Sequence, residues 1–85
     1  MNPISIDKIV EKIAKENPGT DKAALTEALN AAVKRKNQGE RCTFCDEPIW
    51  AVGSAVSGTD LCFTCVTGES DSSDDYEIDV AFVQN

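Results

Sequence analysis

Apolar and polar positions along this chain fall into distinct regimes. Ile6, Ile9, Val10 and Ile13 recur at i, i+3, i+4 and i+7, the spacing of one helix face. Lys8, Glu11, Lys12 and Lys15 take the other face. Ser5 is placed to cap this helix, with Asp7 in its first turn. Asn17-Pro18-Gly19 ends it near Glu16, because a proline disfavours helix in the residue before it. A second helix is expected from about Asp21 to Asn37, capped by Thr20. Leu25, Leu29, Ala32 and Val33 form its apolar stripe, with Ala24, Ala28 and Ala31 beside it. Lys34-Arg35-Lys36 sits in its last turn and Gly39 follows as a stop. Residues 1–39 therefore read as a helical hairpin.

The helical period is lost over residues 40–68. Ile49-Trp50-Ala51-Val52 reads as a short strand, and Gly53-Ser54 and Ser57–Asp60 supply turn chemistry. Residues 69–75 form an acidic linker. From Tyr76 to Val83, Tyr76, Ile78, Val80 and Phe82 alternate with Glu77, Asp79 and Ala81, the pattern of a half-buried strand. This strand, within residues 76–85, is expected to return and pair near Trp50.

At 85 residues the chain supports one domain. A purely hydrophobic core at this size is marginal, so a staple is expected. The four cysteines supply the candidate. They run Cys42-Thr-Phe-Cys45 and then, sixteen residues on, Cys62-Phe-Thr-Cys65, a C-x2-C-x16-C-x2-C pattern. A two-residue gap lets a tight turn aim two sulfurs at one ion, and two such turns close a tetrahedron with Zn–S distances of about 2.3 Å. No position stays open for water, which points to one structural zinc per chain. An iron site uses the same four-thiolate geometry, and the sequence does not separate the two metals. A redox-active pair would want a cationic setting, whereas Asp46, Glu47 and Asp60 raise thiol pKa values. The fold class expected is α+β: a zinc-stapled domain with an N-terminal helical hairpin, a four-cysteine zinc-ribbon-like module and a C-terminal strand.

Charge divides along the chain. Residues 1–41 hold all eight basic and six acidic side chains, net +2, while residues 42–85 hold nine acidic and no basic ones, net −9. Zinc on four thiolates adds about −2 more. Such a half repels nucleic-acid phosphate. The basic cluster Lys34, Arg35, Lys36 and Arg41 reads as a complement to the helix dipole and the thiolates rather than a phosphate site. The chain contains no histidine, which removes imidazole bases, His-based triads and Cys2His2 fingers. With no open metal position and no phosphate loop, an enzyme is not expected. Met1-Asn2-Pro3-Ile4-Ser5 does not read as a secretory signal, and no apolar run approaches the roughly 20 residues of a membrane span. The expected compartment is the cytoplasm, where thiols stay reduced.

Phe44 and Phe63 take near-symmetric places inside the two Cys pairs and are expected to pack over the metal site. Trp50 is expected in the core. Asp71, Asp74, Asp75, Glu77 and Asp79 are expected to be solvated, and their spacing does not fit a calcium loop.

The stretch Cys42-Thr-Phe-Cys45-Asp-Glu-Pro-Ile49, followed by Thr59-Asp60-Leu61-Cys62-Phe-Thr-Cys65, resembles the zinc finger of the DksA/TraR family, which binds RNA polymerase. The resemblance covers residues 42–65. It implies zinc on Cys42, Cys45, Cys62 and Cys65 and a role in transcription regulation. Asp46 stands where the family has Gly, a position whose left-handed backbone Asp tolerates better than most residues. Three functions are thus in play. One is an interaction module whose anionic surface meets a basic protein. Another is a regulator binding RNA polymerase. The last is a thiol-redox or metal-handling protein.

Overall fold

The computed structural model describes residues 1–71 and 73–81. Its elements in chain order are β1 (Asn2–Ile4), α1 (Ile6–Glu16), α2 (Lys22–Asn37), α3 (Ala51–Ser57), α4 (Phe63–Thr67) and β2 (Tyr76–Ile78), closed by a 3₁₀ turn at Asp79–Ala81. Helices with a small two-stranded sheet make an α+β fold, as expected.

The helical hairpin forms as its pattern predicts. Ser5 Oγ accepts the Lys8 N–H at 3.2 Å and starts α1. The cap of α2 is Asp21, whose carboxylate accepts the Ala24 N–H at 3.1 Å. Thr20, expected in that role, spends its hydroxyl on the Asn17 carbonyl at 2.6 Å and so closes the turn between the helices. Ile9 and Val10 of α1 meet Leu29, Ala32 and Val33 of α2 in the core.

The expected strand at Ile49–Val52 is replaced. Ile49 is fully buried, but the chain turns helical at Ala51 and continues to Ser57. A short apolar run reads equally as strand or helix from periodicity alone, and tertiary contacts decide. Here Ala51, Val52, Gly53 and Ser54 are small enough to bury themselves, with Ala51 and Val52 in the core shared with α2. Gly53 is required by a close approach: a Cβ there would lie 2.3 Å from the Trp50 ring.

The C-terminal strand exists, but its partner differs from the one expected. β2 pairs in parallel with β1, Asn2 opposite Tyr76 and Ile4 opposite Ile78. The Asn2 N–H donates to the Asp75 carbonyl at 2.8 Å, and the Asn2 side chain donates to Ser73 at 3.0 Å. Trp50 reaches β2 by its side chain, its indole N–H donating to the Tyr76 carbonyl at 2.7 Å. Pro3 is tolerated because a two-stranded sheet is all edge. The strand ends at Ile78, and Phe82 and Val83 of the expected run lie outside the described residues.

Glu77 is the largest departure from the sequence reading. Expected among solvated carboxylates, it is 1% exposed. Its Oε2 sits 2.6 Å from Lys36 Nζ and accepts the Ala51 N–H at 2.8 Å. Its Oε1 accepts the N–H groups of Val52 at 3.3 Å and Ile78 at 2.9 Å. One buried carboxylate thus joins α2, the start of α3 and β2, with its negative charge offset by a cation and several N–H donors. Among the described residues, no helix is long and apolar enough to cross a membrane.

Candidate metal centre

The two Cys pairs are held by different local structures. Cys42 and Cys45 lie in a turn closed by an isolated antiparallel bridge between Arg41 and Pro48. Inside it the Cys42 N–H donates to the Glu47 carbonyl at 2.7 Å, and the Asp46 N–H donates to the Cys42 carbonyl at 3.1 Å. Asp46 takes the left-handed conformation, φ 61°. That is the geometry its position in the motif anticipates. Cys62 and Cys65, by contrast, open α4, with Cys62 at the N-cap and Cys65 one turn on. Residues three apart on a helix share a face, so both sulfurs point the same way.

The loop before Cys62 is positioned from three sides. Asp60 pairs with Arg35 of α2 at 2.8 Å. The Asp60 carbonyl accepts the Thr43 N–H at 3.1 Å, and the Leu61 carbonyl accepts the Trp50 N–H at 2.9 Å. Ser54 of α3, fully buried, accepts the Leu61 N–H and donates to its carbonyl, both at 3.2 Å. These contacts lock the second pair to the first, and both to α2 and α3.

The four sulfurs converge, all within 4.8 Å of one another. The Sγ–Sγ separations are 3.5 Å for Cys42–Cys65, 3.2 Å for Cys45–Cys62 and 3.8 Å for Cys45–Cys65. A tetrahedron with arms of about 2.3 Å has edges of about 3.8 Å. Four cysteines are therefore positioned to bind a metal ion, and an all-sulfur donor set suits a soft or borderline one. Each pair contributes one buried cysteine, Cys42 or Cys62, and one exposed cysteine, Cys45 or Cys65.

The metal-free thiols differ in acidity. Burial opposes ionisation of Cys42, but the backbone N–H groups of Cys62, Cys45 and Phe44 outweigh it and bring its pKa down to about 6. Cys65 is pushed up to about 12, chiefly because its proton is shared with the Cys42 and Cys62 sulfurs. Cys45 is raised too, above all by sharing with Cys62. Amide donors around Cys42 are the arrangement that delocalises thiolate charge at a metal.

The aromatic pair within the motifs splits. Phe63 is 9% exposed and meets Trp50 edge-on, ring centroids 5.0 Å apart at 71°. Phe44, expected to pack likewise, is 79% exposed. The turn 42–45 has no helix axis to carry its middle residues back over the core, whereas α4 does. Two cations of the basic cluster are engaged within the fold, Arg35 with Asp60 and Lys36 with Glu77. Neither pairing, nor the role of Ser54, was visible in the sequence, since each partner lies in a segment whose register only the fold sets. No protein-family model, curated protein or solved structure matches this chain.

Proposed function

We propose that Cys42, Cys45, Cys62 and Cys65 hold one structural zinc ion. The domain so fixed is a non-catalytic module that docks onto a basic surface of a partner protein. The convergence of four sulfurs at near-tetrahedral spacing carries the reading. Four thiolates fill the coordination shell of zinc, leaving no site to activate water. The charge distribution supports the docking half. Of the nine acidic side chains in residues 42–85, Glu77 is buried against Lys36 and Asp60 pairs with Arg35. Asp46, Glu47, Glu69, Asp71, Asp74 and Asp79 are exposed. RNA polymerase, the partner implied by the finger resemblance, is a special case of this reading, and co-elution with it would specify the partner.

Native mass spectrometry with elemental analysis of freshly purified, reduced protein tests the metal. One zinc per chain, with helical circular dichroism lost on chelation, is the expected result. Iron, no metal, or rapid alkylation of thiols in the metal-loaded protein would overturn it in favour of redox or metal-handling chemistry. For the docking half, salt-sensitive binding to an arginine-rich peptide is expected, and no binding even at low salt would overturn it.

A further inference from the structure

The fold leaves one large aromatic side chain in solvent at the metal turn. Phe44 is the most exposed of the large hydrophobic side chains among the described residues, at 79%, while its motif counterpart Phe63 is packed on Trp50. An exposed phenyl ring costs solvation. The turn beneath it is fixed by the Cys42–Glu47 and Asp46–Cys42 backbone hydrogen bonds and by the Arg41–Pro48 bridge. The sulfurs on either side of it, Cys42 and Cys45, belong to the cluster. A ring presented on so rigid a turn loses little conformational entropy on binding.

The surroundings specify what the ring would meet. Asp46 and Glu47 follow it just beyond Cys45, both exposed. Arg41 also lies nearby, its Nη1 donating to the Asp46 carbonyl at 3.4 Å. Against that one cation stand two carboxylates and, with zinc bound, a four-thiolate site of net charge about −2. The electron-rich face of a phenyl ring attracts cations, and the guanidinium group both stacks on it and pairs with neighbouring carboxylates.

We infer that Phe44, flanked by Asp46 and Glu47, is the anchor of the docking surface, and that it receives an arginine side chain from a basic segment of a partner protein. This rests on the proposed anionic docking function and names its centre. Single-stranded nucleic acid also stacks on aromatic rings, but its phosphates would meet this negative surround, so an arginine-bearing protein segment is the favoured occupant.

The test is fluorescence anisotropy of a labelled nona-arginine peptide with the full zinc-loaded chain, each variant first checked for one bound zinc. Phe44→Ala is expected to weaken binding at least about fivefold, in the range of an aromatic anchor. Phe44→Trp is expected to bind as tightly as the parent or more so. Glu16→Gln combined with Glu27→Gln, exposed acids of the helical hairpin outside the anionic half, is expected to change affinity less than about twofold. In the unaltered protein, the Phe44 ring proton resonances are expected to shift on peptide addition, a readout that needs no variant. If Phe44→Ala binds within twofold of the parent, or the Phe44 ring resonances stay fixed, the anchor is overturned. The docking function then survives wherever Asp71→Asn combined with Asp74→Asn, in the acidic segment, loses affinity. If the unaltered protein fails to bind the peptide at low salt, the docking function falls and this inference with it. Tighter, Phe44-dependent binding of an oligothymidylate would overturn the protein partner.

Discussion

Two copies of Cys-x-x-Cys, each with a phenylalanine inside, end in opposite environments. In the first, Cys42–Cys45, the pair sits in a turn that satisfies its own backbone through Glu47 and Asp46, and its phenylalanine faces solvent. In the second, Cys62–Cys65, the pair starts a helix, depends on Arg35 and Ser54 to hold its approach, and buries its phenylalanine on Trp50. The motif spacing fixes where the sulfurs go and nothing else. Which way the intervening residues point follows from whether a turn or a helix carries them. The common outcome is one buried and one exposed cysteine from each pair. That symmetry sits at the sulfur cluster and is absent around it.

The largest effect expected erases the difference between the halves. Cys45→Ser removes an exposed ligand of the first pair and Cys62→Ser a buried ligand of the second. Zinc binding in such sites contributes about 10–16 kcal/mol, while a small domain has only about 5–15 kcal/mol of net stability. Both variants are therefore expected to lose zinc and most of their helical circular dichroism. Retention of fold by Cys45→Ser alone would mean that the exposed sulfurs contribute little, and that burial rather than ligand count holds the site.

Next in size is Glu77, whose carboxylate ties α2 and α3 to β2. Glu77→Ala leaves Lys36, itself 10% exposed, without its partner and strips two N–H groups at the start of α3 of their acceptor. Removing one member of a buried pair costs about 3–5 kcal/mol. Urea denaturation of the zinc-loaded protein measures it, and a loss under about 1 kcal/mol would show that the pair is dispensable. Since α3 carries Ser54, the second Cys half is expected to loosen first, read as faster amide exchange at Leu61 than at Asp46.

These contrasts also mark what the sequence discloses. The helical hairpin is legible because eleven- and sixteen-residue helices repeat their apolar spacing over several turns. The clustering of the four cysteines is legible because their spacing is itself the geometry. Asp46 at a left-handed position is legible as a substitute for glycine. The helix at Ala51–Ser57 is not, since seven residues with a glycine inside carry no decisive period, and what stabilises it is a carboxylate 26 residues further on. Glu77 is hidden for the same reason. In an alternating strand it takes the outward register, and only the pairing of β2 with β1 brings it under α3. The orientation of Phe44 and Phe63 fails on their near-symmetric placement in the motifs, which the local backbone breaks.

That broken symmetry gives the most direct comparison, because the same substitution can be made on each side of it. Phe63→Ala removes a ring that is 9% exposed and touches Trp50, opening a cavity beside the second Cys pair. Buried phenylalanine truncations cost about 3–5 kcal/mol, and a ring outside the main core cluster belongs at the low end, about 3 kcal/mol. Phe44→Ala removes a ring that is 79% exposed and leaves no cavity, so its effect on stability is expected to stay within about 0.5 kcal/mol. Chemical denaturation of the two zinc-loaded variants under one set of conditions reads both. Equal losses would mean that Phe44 packs in solution and that the halves are more alike than their backbones. A large loss at Phe63 with almost none at Phe44 leaves the exposed ring without a structural task. A hydrophobic side chain that contributes nothing to stability, on a turn held by its own backbone hydrogen bonds, is then free to serve contacts outside the fold, as the proposed docking requires.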